Sequence, residues 1–446
     1  MKRPLHIACI SEHASPLALL GSQDAGGQNV YVDEVSRQLG RLGHSVDIFT
    51  RRDNPSVPEI VAWAPGVRVI NLAVGPPKFM PKDELWTLMP EFLDAMLRFM
   101  ARAGAHYDLI HSHFWMSGWV AVQLRRRLGL PVAHIFHALG ITKRRHQGSA
   151  DTSPPARIAI EREVIREVDR LIAQCPSERA ELIDDYAADP HKIAVIPAAA
   201  NIARFRPVPR GQARRRLGLD QRDFVVVYVG RMLPRKDVRN IVRGFALLAD
   251  RARSQAGGAH PTQPLKLLLV GGESCGDDLA ATPEIGVLQE LAAELGIVDR
   301  VLFAGKRQPD ELPDFYSAGD VMVTTPWYEP FGLTPLEAMA CGRLVIGSAV
   351  GGLPFTIQDG TTGMLVPPRD PAALAAKLHQ LLAQPDLCAA MGRAARRRVE
   401  REFTWENVAR RIEKLYQALL ATHDQRAYSM DVQPALAELA IREARL

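Results

Sequence analysis

Cysteine is sparse and unpatterned. Cys9, Cys175, Cys275, Cys341 and Cys388 are scattered, odd in number and free of any Cys-x-x-Cys spacing. Neither a disulfide framework nor a zinc site is indicated, and a reducing cytoplasm fits. Long apolar runs are also missing: Leu5 to Ile10 is too brief for a signal-peptide core or a membrane span, and no later segment reaches that length. Neither sign of charge prevails, since 55 Lys and Arg against 50 Asp and Glu leave a net +5. The basic clusters Arg125–Arg127, Lys143–Arg145, Arg214–Arg216 and Arg396–Arg398 are spread over the whole length and read as solvated helix faces. With few aromatics near them and no recognition motif, a nucleic-acid partner is excluded, and charge alone gives no support for peripheral membrane contact. No Gly-x-Gly-x-x-Gly follows a strand pattern, which counts against a nicotinamide dehydrogenase.

What is present is an ordinary globular composition, 47% hydrophobic and 24% charged, in 446 residues. That length exceeds what one core supports, so two domains of roughly 200 residues are expected. Apolar runs at Leu5–Ile10 and Val46–Thr50 flank an amphipathic pattern in Val30, Val35, Leu39 and Leu42 that stops at Gly43, a β-loop-α-β unit. Further strands are read at Leu109–His111, Pro131–Phe136, Leu171–Ala173 and Ile193–Ile196. A basic, proline-containing stretch between Pro197 and Asp223 reads as the linker. Strands then restart at Phe224–Val229, Leu265–Val270, Val301–Phe303, Val321–Val323, Leu344–Ile346 and Met364–Val366. Alternation with helices predicts α/β architecture with parallel sheets, and ligands in such folds sit beyond the carboxyl ends of the strands. From Phe403 the pattern Trp405, Val408, Ile412, Leu415, Leu419 predicts a long amphipathic helix, followed by a tail from Thr422 with weak helical character over Pro434–Leu446.

The densest signal runs from Trp327 to Gly342, where Glu329 and Glu337 stand with seven residues between them around Phe331-Gly332-Leu333-Thr334-Pro335. Thr334 reads as an N-cap, with Pro335 at the first helical position, so a helix N-terminus with free N–H groups follows Gly332, the kind of end that attracts phosphate. Thr-x-x-Glu is equally the capping-box pattern, in which Glu337 only holds the backbone N–H of Thr334. Glu329, flanked by Trp327, Tyr328, Pro330 and Phe331, has no helix to cap and needs a partner if buried; a sugar hydroxyl is one.

Glu, seven residues, Glu, with Phe-Gly-Leu between and Glu-Ala-x-Ala-x-Gly at the end, resembles the retaining glycosyltransferases of family 4. The resemblance implies the GT-B fold: two doubly wound Rossmann-like domains with parallel sheets facing across a cleft. It divides the chain into an acceptor-side domain over 1–198, a nucleotide-sugar-binding domain over 199–403, and a C-terminal helix that crosses back, with its tail, over 404–446. It implies that Glu329 meets hydroxyls of the donor sugar, that the backbone of Phe331, Gly332, Leu333 and Thr334 meets sugar and diphosphate, and that Glu337 holds the ribose. Gly230-Arg231-Met232-Leu233-Pro234-Arg235-Lys236 resembles the family's Gly-Arg…Arg-Lys element, which gives Arg231 and Lys236 the diphosphate. The paired Gly26 and Gly27 resemble the loop that closes over it, and glycines there let backbone approach phosphate. His137 matches the family histidine beside the donor sugar's primary hydroxyl, and main-chain groups near Arg307 stand where the nucleobase is received.

On the acceptor side the resemblance implies contacts from Asn29, Lys82 and His113, the last within His111-Ser112-His113-Phe114-Trp115, similar to sucrose-phosphate synthase-like and inositol-phosphate-using members. Phe114 and Ala138 replace hydroxyl-bearing residues of the inositol-phosphate users. Pro197-Ala198-Ala199-Ala200-Asn201 replaces the family's usual Pro-Gly-Val-Asp hinge. Asp-x-Asp, by which metal-dependent glycosyltransferases hold manganese, is absent from the sequence. No metal or other cofactor is therefore expected, with cations and a helix dipole taking the ion's place. The implied activity is metal-independent, retaining transfer of a hexosyl unit from a nucleotide sugar, UDP-glucose or similar, to a small polar or phosphorylated acceptor. The alternatives are a sucrose or sucrose-phosphate synthase-like activity, and a non-catalytic nucleotide-sugar-binding protein on the same fold.

Overall fold

Short Val-, Ile- and Leu-rich runs bounded by polar turns become strands buried on both faces, because helices cover both sides of each sheet. A computed structural model describes residues 3–18, 26–255, 264–275 and 282–423. Its first sheet contains β1 (His6–Ile10), β2 (Ser45–Arg51), β3 (Ile60–Ala64), β4 (Val67–Leu72), β5 (Leu109–His113), β6 (Val132–Ile135), β7 (Arg170–Ala173) and β8 (Ile193–Val195), in the order β3-β4-β2-β1-β5-β6-β7-β8. The second contains β9 (Phe224–Val229), β10 (Leu265–Cys275), β11 (Val301–Lys306), β12 (Val321–Thr324), β13 (Leu344–Ser348) and β14 (Gly363–Val366), in the order β11-β10-β9-β12-β13-β14. Strand order reverses between β1 and β5 in one sheet and between β9 and β12 in the other. These switch points open the crevices where a doubly wound sheet binds ligands.

One edge departs from the parallel expectation. β3 pairs antiparallel with β4, a hairpin that the strand reading above lacks. Its turn is Pro65-Gly66, with Gly66 at φ +72°, so the signal was a Pro-Gly pair between two short apolar runs. The helix Gly27–Arg41 forms as its periodicity predicts and buries Tyr31, Val32, Val35 and Leu39.

Two crossings join the halves side by side. After β8 the chain passes through Ala198, Ala199 and Ala200, and it returns at Phe403 and Thr404. Ala200 N–H donates to the Phe403 carbonyl at 3.1 Å, and Ala200 bridges Thr404. The returning helix, over 405–423, buries Trp405, Val408, Ile412, Tyr416 and Leu419 in the core cluster that includes residues of both domains. Each such aliphatic side chain contributes about 1.5–3 kcal/mol. The helix packs on the first domain: Tyr416 Oη meets His111 Nδ1 at 2.6 Å, and His423 Nε2 meets the Gly129 carbonyl at 2.8 Å. The expected tail beyond His423 and the start of the glycine loop, Asp24 and Ala25, lie outside the described residues. Among the described residues no helix is long and apolar enough to cross a membrane.

Candidate active site

At the carboxyl end of β9 the backbone turns through Gly230 into Arg231, and a 3-10 turn over Pro234–Lys236 follows. Gly271 permits the turn: at φ +142° a Cβ there would stand 1.8 Å from the Gly230 carbonyl oxygen. The loop after β12 runs alongside, and Trp327 N–H donates to the Arg235 carbonyl at 2.9 Å, tying the two loops together. Glu329 is held from behind, because Gly352 N–H donates to its carbonyl at 3.0 Å. Lys236 Nζ then donates to Glu329 Oε2, with the two side chains only 16% and 13% exposed. Burial pushes the Glu329 carboxyl up, but Lys236, backed by Arg235 and Arg231, outweighs it and holds the group below its ordinary value.

The helix Leu333–Ala340 begins beside this pair. Its N-cap is Gly332, not Thr334, because the sharp entry needs φ +93°. Thr334 and Pro335 fall inside the first turn, where a proline removes no intrahelical hydrogen bond. The first-turn N–H groups therefore open next to Glu329, whose Cγ lies 3.5 Å from where a Gly332 Cβ would be. Glu337 does not close a capping box: Tyr316 Oη donates to its Oε2 at 2.7 Å, and burial pushes its carboxyl up to about 7. Phe331 sends its ring into the core, leaving its backbone on the loop. Arg307 follows β11 on the same rim, its guanidinium 5.7 Å over the Phe315 ring.

The first domain reaches directly onto these elements. A Cβ on Gly27 would lie 3.3 Å from Leu333 Cδ1, so the glycine loop borders the opening of the donor-side helix. Ser177 Oγ donates to the Gly351 carbonyl at 2.9 Å, Cys175 Sγ meets the Pro330 carbonyl at 3.4 Å, and His146 stacks on Tyr328 with centroids 5.0 Å apart. Asn29 spends its side chain on this loop, accepting from Gly26 N–H and donating to the Ser15 carbonyl, both at 2.9 Å. Lys82 opens a half-buried 3-10 turn, Lys82–Leu88, whose Asp83 lies 3.9 Å from Lys143 Nζ. His137 follows β6 at φ +60°, and its Nε2 meets Nδ1 of His113 at 3.1 Å. His113 is 1% exposed, so it lies beneath His137 and not on the cleft surface. Burial, with the neighbouring imidazoles, pushes His113 well below the usual histidine range and His137 down to about 3; both rings are neutral at pH 7.

Comparison with known proteins agrees with this architecture. Residues 26–199 match the model for a glycosyl transferase 4-like domain, and residues 209–398 match that for glycosyl transferases group 1. The D-inositol 3-phosphate glycosyltransferase of Salinispora arenicola is 39% identical over 429 residues, covering 94% of this chain and 93% of that protein. The enzyme of the same name from Streptomyces coelicolor is 37% identical, covering 96% and 94%. Among solved structures, a sucrose-phosphate synthase from Thermosynechococcus elongatus superposes with a TM-score of 0.82 at 36% identity, over 94% of this chain and all of that one. The chain is a family 4 glycosyltransferase of the GT-B fold. An Anabaena protein solved with UDP and glucose, at 18% identity and a TM-score of 0.69, shares the fold.

Several buried groups that pack around the predicted site residues of this glycosyltransferase escape a reading by motif. Glu12, fully buried just after β1, accepts from Ser117 Oγ and contacts His13 Nδ1 at 2.8 Å. Its position after the first strand, at the switch point, was the available signal. Arg157 is buried against Glu161 at 2.8 Å, donates to the Ala138 carbonyl at 2.7 Å and lies 5.1 Å over the Phe114 ring. It thereby joins the two positions where hydroxyls are replaced; its i,i+4 spacing to Glu161 was visible, its target was not. Nothing local marked Tyr316 or Tyr416. The histidines His111, His113, His134 and His137 lie side by side, yet among the described residues no group of three or more His, Cys, Asp or Glu converges as metal ligands.

Proposed function

We propose that this glycosyltransferase moves a hexosyl unit from a nucleoside-diphosphate sugar, UDP-glucose or a close analogue, to a small polar or phosphorylated acceptor, with retention and without a metal ion. The observation that carries the reading is the meeting of Lys236, Glu329 and the first turn of Leu333–Ala340 beside Gly27. Cleaving the bond between the anomeric carbon and the diphosphate leaves negative charge on the departing oxygen. Arg231, Lys236 and the helix N–H groups offer fixed cations and dipoles to that charge. Once the diphosphate engages Lys236, Glu329 turns its carboxylate to the sugar hydroxyls, because a buried carboxylate that loses one donor requires another. Glu337 takes the ribose, and main-chain groups near Arg307 take the base.

In this reading the acceptor hydroxyl attacks on the face the diphosphate leaves, and its proton passes to the departing phosphate oxygen. Configuration is then retained without a covalent enzyme intermediate. His137 and Glu329 orient the sugar during the step.

The names carried by the Salinispora and Streptomyces relatives favour a phosphorylated inositol as acceptor. The sucrose-phosphate synthase neighbour favours a second reading, transfer to fructose or its phosphate. Incubation with a panel of nucleotide sugars and with inositol phosphates, fructose and fructose 6-phosphate, followed by mass spectrometry, separates them. The anomeric coupling in the product's NMR spectrum tests retention, and undiminished turnover in EDTA tests metal independence. Absence of product from every pair would overturn the reading.

A further inference from the structure

His137 sits in a backbone region that L-residues rarely adopt, φ +60°. Such strain persists only where the surroundings over-determine it. Here they form a column of rings. His113 Nδ1 meets His137 Nε2 at 3.1 Å, with the two rings 16° from parallel. Tyr31 turns its edge to both, at centroid distances of 5.0 and 5.8 Å, and is itself braced by Trp405 at 5.5 Å. Behind His113 lies the His111 ring, 4.3 Å away, and His111 Nδ1 contacts Tyr416 Oη at 2.6 Å. His111 Nε2 has no hydrogen-bond partner among the described residues, so Tyr416 is its polar anchor. Two of these braces, Trp405 and Tyr416, come from the helix that crosses back at the chain's end.

A neutral imidazole has one donor and one acceptor nitrogen. With Nε2 engaged by His113, the protons of the two rings are coupled, one nitrogen of the contact donating and the other accepting, and Nδ1 of His137 is the one left for a ligand. We propose that His113 and Tyr416 are positioning residues for His137, holding its Nε2 inside the first domain so that Nδ1, in one fixed tautomer, is offered to the cleft. His113 accordingly acts through His137 and does not touch the acceptor. This deepens the transfer reading above and rests on it for the role of His137.

The test compares His113→Leu, His113→Asn and Tyr416→Phe in the full chain. Asn keeps an amide where the imidazole Nδ1 stands, whereas Leu keeps only bulk. His113→Leu is expected to lower kcat about tenfold or more while KM for UDP-glucose moves less than about threefold, the loss of one buried hydrogen bond confined to the reacting geometry. His113→Asn should recover most of that loss, and Tyr416→Phe should cost a smaller factor, about threefold. Independently of turnover, the two imidazole 15N shifts of His137 should be widely split in the wild type and drift towards averaged values in His113→Leu. Unchanged His137 shifts in His113→Leu, or a kcat loss that Asn fails to rescue, would overturn the proposal. If the wild type transfers no sugar, the transfer reading fails by itself and the 15N comparison still decides the positioning.

Discussion

Lys236 and Glu329, 93 residues apart in sequence, form a largely buried ion pair, 16% and 13% exposed, at the mouth of the crevice between β9 and β12. The cation proposed for the diphosphate and the carboxylate proposed for the sugar are thus each other's partner. Lys236→Met and Glu329→Gln should each reduce transfer at least about 100-fold, as removal of one preorganised electrostatic group does. In urea unfolding the two changes should be non-additive, with a coupling of about 1–3 kcal/mol. Additive losses would mean that the pair does not act as a unit.

In the proposed reading, Glu337 links donor binding to pH. Its folded pKa, about 7, stands above the ordinary carboxylate value because burial disfavours the charge. The folded state therefore holds this proton more tightly than the unfolded one, and stability falls as pH rises from the ordinary carboxylate range to about 7, then levels. Ribose hydroxyls donating to the carboxylate favour its ionised form. UDP-glucose binding should therefore release protons near pH 6.5, visible in calorimetry as a dependence on buffer ionisation enthalpy, and none above pH 8 or in Glu337→Gln.

A Cβ at Gly27 would press on Leu333 Cδ1 at 3.3 Å, closer than ordinary van der Waals contact. Gly27→Val should weaken UDP-glucose binding about tenfold, since added methyl groups at a packed contact force the neighbours apart. Thermal unfolding without ligand should barely change, because the glycine loop is not in the core. Leu333→Ala in the same chain should restore most of the affinity; titration calorimetry reads both.

Gly351 holds the Glu329 loop by having no side chain. At φ +53° its Cβ would lie 1.9 Å from the Glu329 carbonyl oxygen. Gly351→Ala should cost about 1–3 kcal/mol in chemical denaturation and lower activity together with it. The exposed-turn change Gly360→Ala, at φ +74° but with no atom within 4 Å of its Cβ, should cost less. Equal losses would mean that backbone strain and not the clash governs both.

Much of this glycosyltransferase was written locally. Apolar runs such as Phe224–Val229 specify strands because period and β-branching act over a few residues, and alternation with helices determined two doubly wound sheets. Gly230, Arg231 and Lys236 could be placed at a strand's end for the same reason. The β3–β4 hairpin was less legible because β3, partly exposed at the sheet's edge, carries a weak apolar pattern. The helix start at Gly332 went to the wrong residue because a threonine followed by proline imitates a cap, while the deciding factor was a positive φ imposed by the turn.

Only the tertiary structure could decide which distant groups meet. Lys236 finds Glu329 because β9 and β12 are neighbours across a switch in strand order, which no local period encodes. Tyr416 reaches His111 across 305 residues because the last helix returns to the first sheet. Residue types and their spacing determine what each segment becomes, since those energies are short-ranged. Sheet order and domain docking determine partnership, since a buried polar group takes its partner from whatever the fold brings within hydrogen-bond reach.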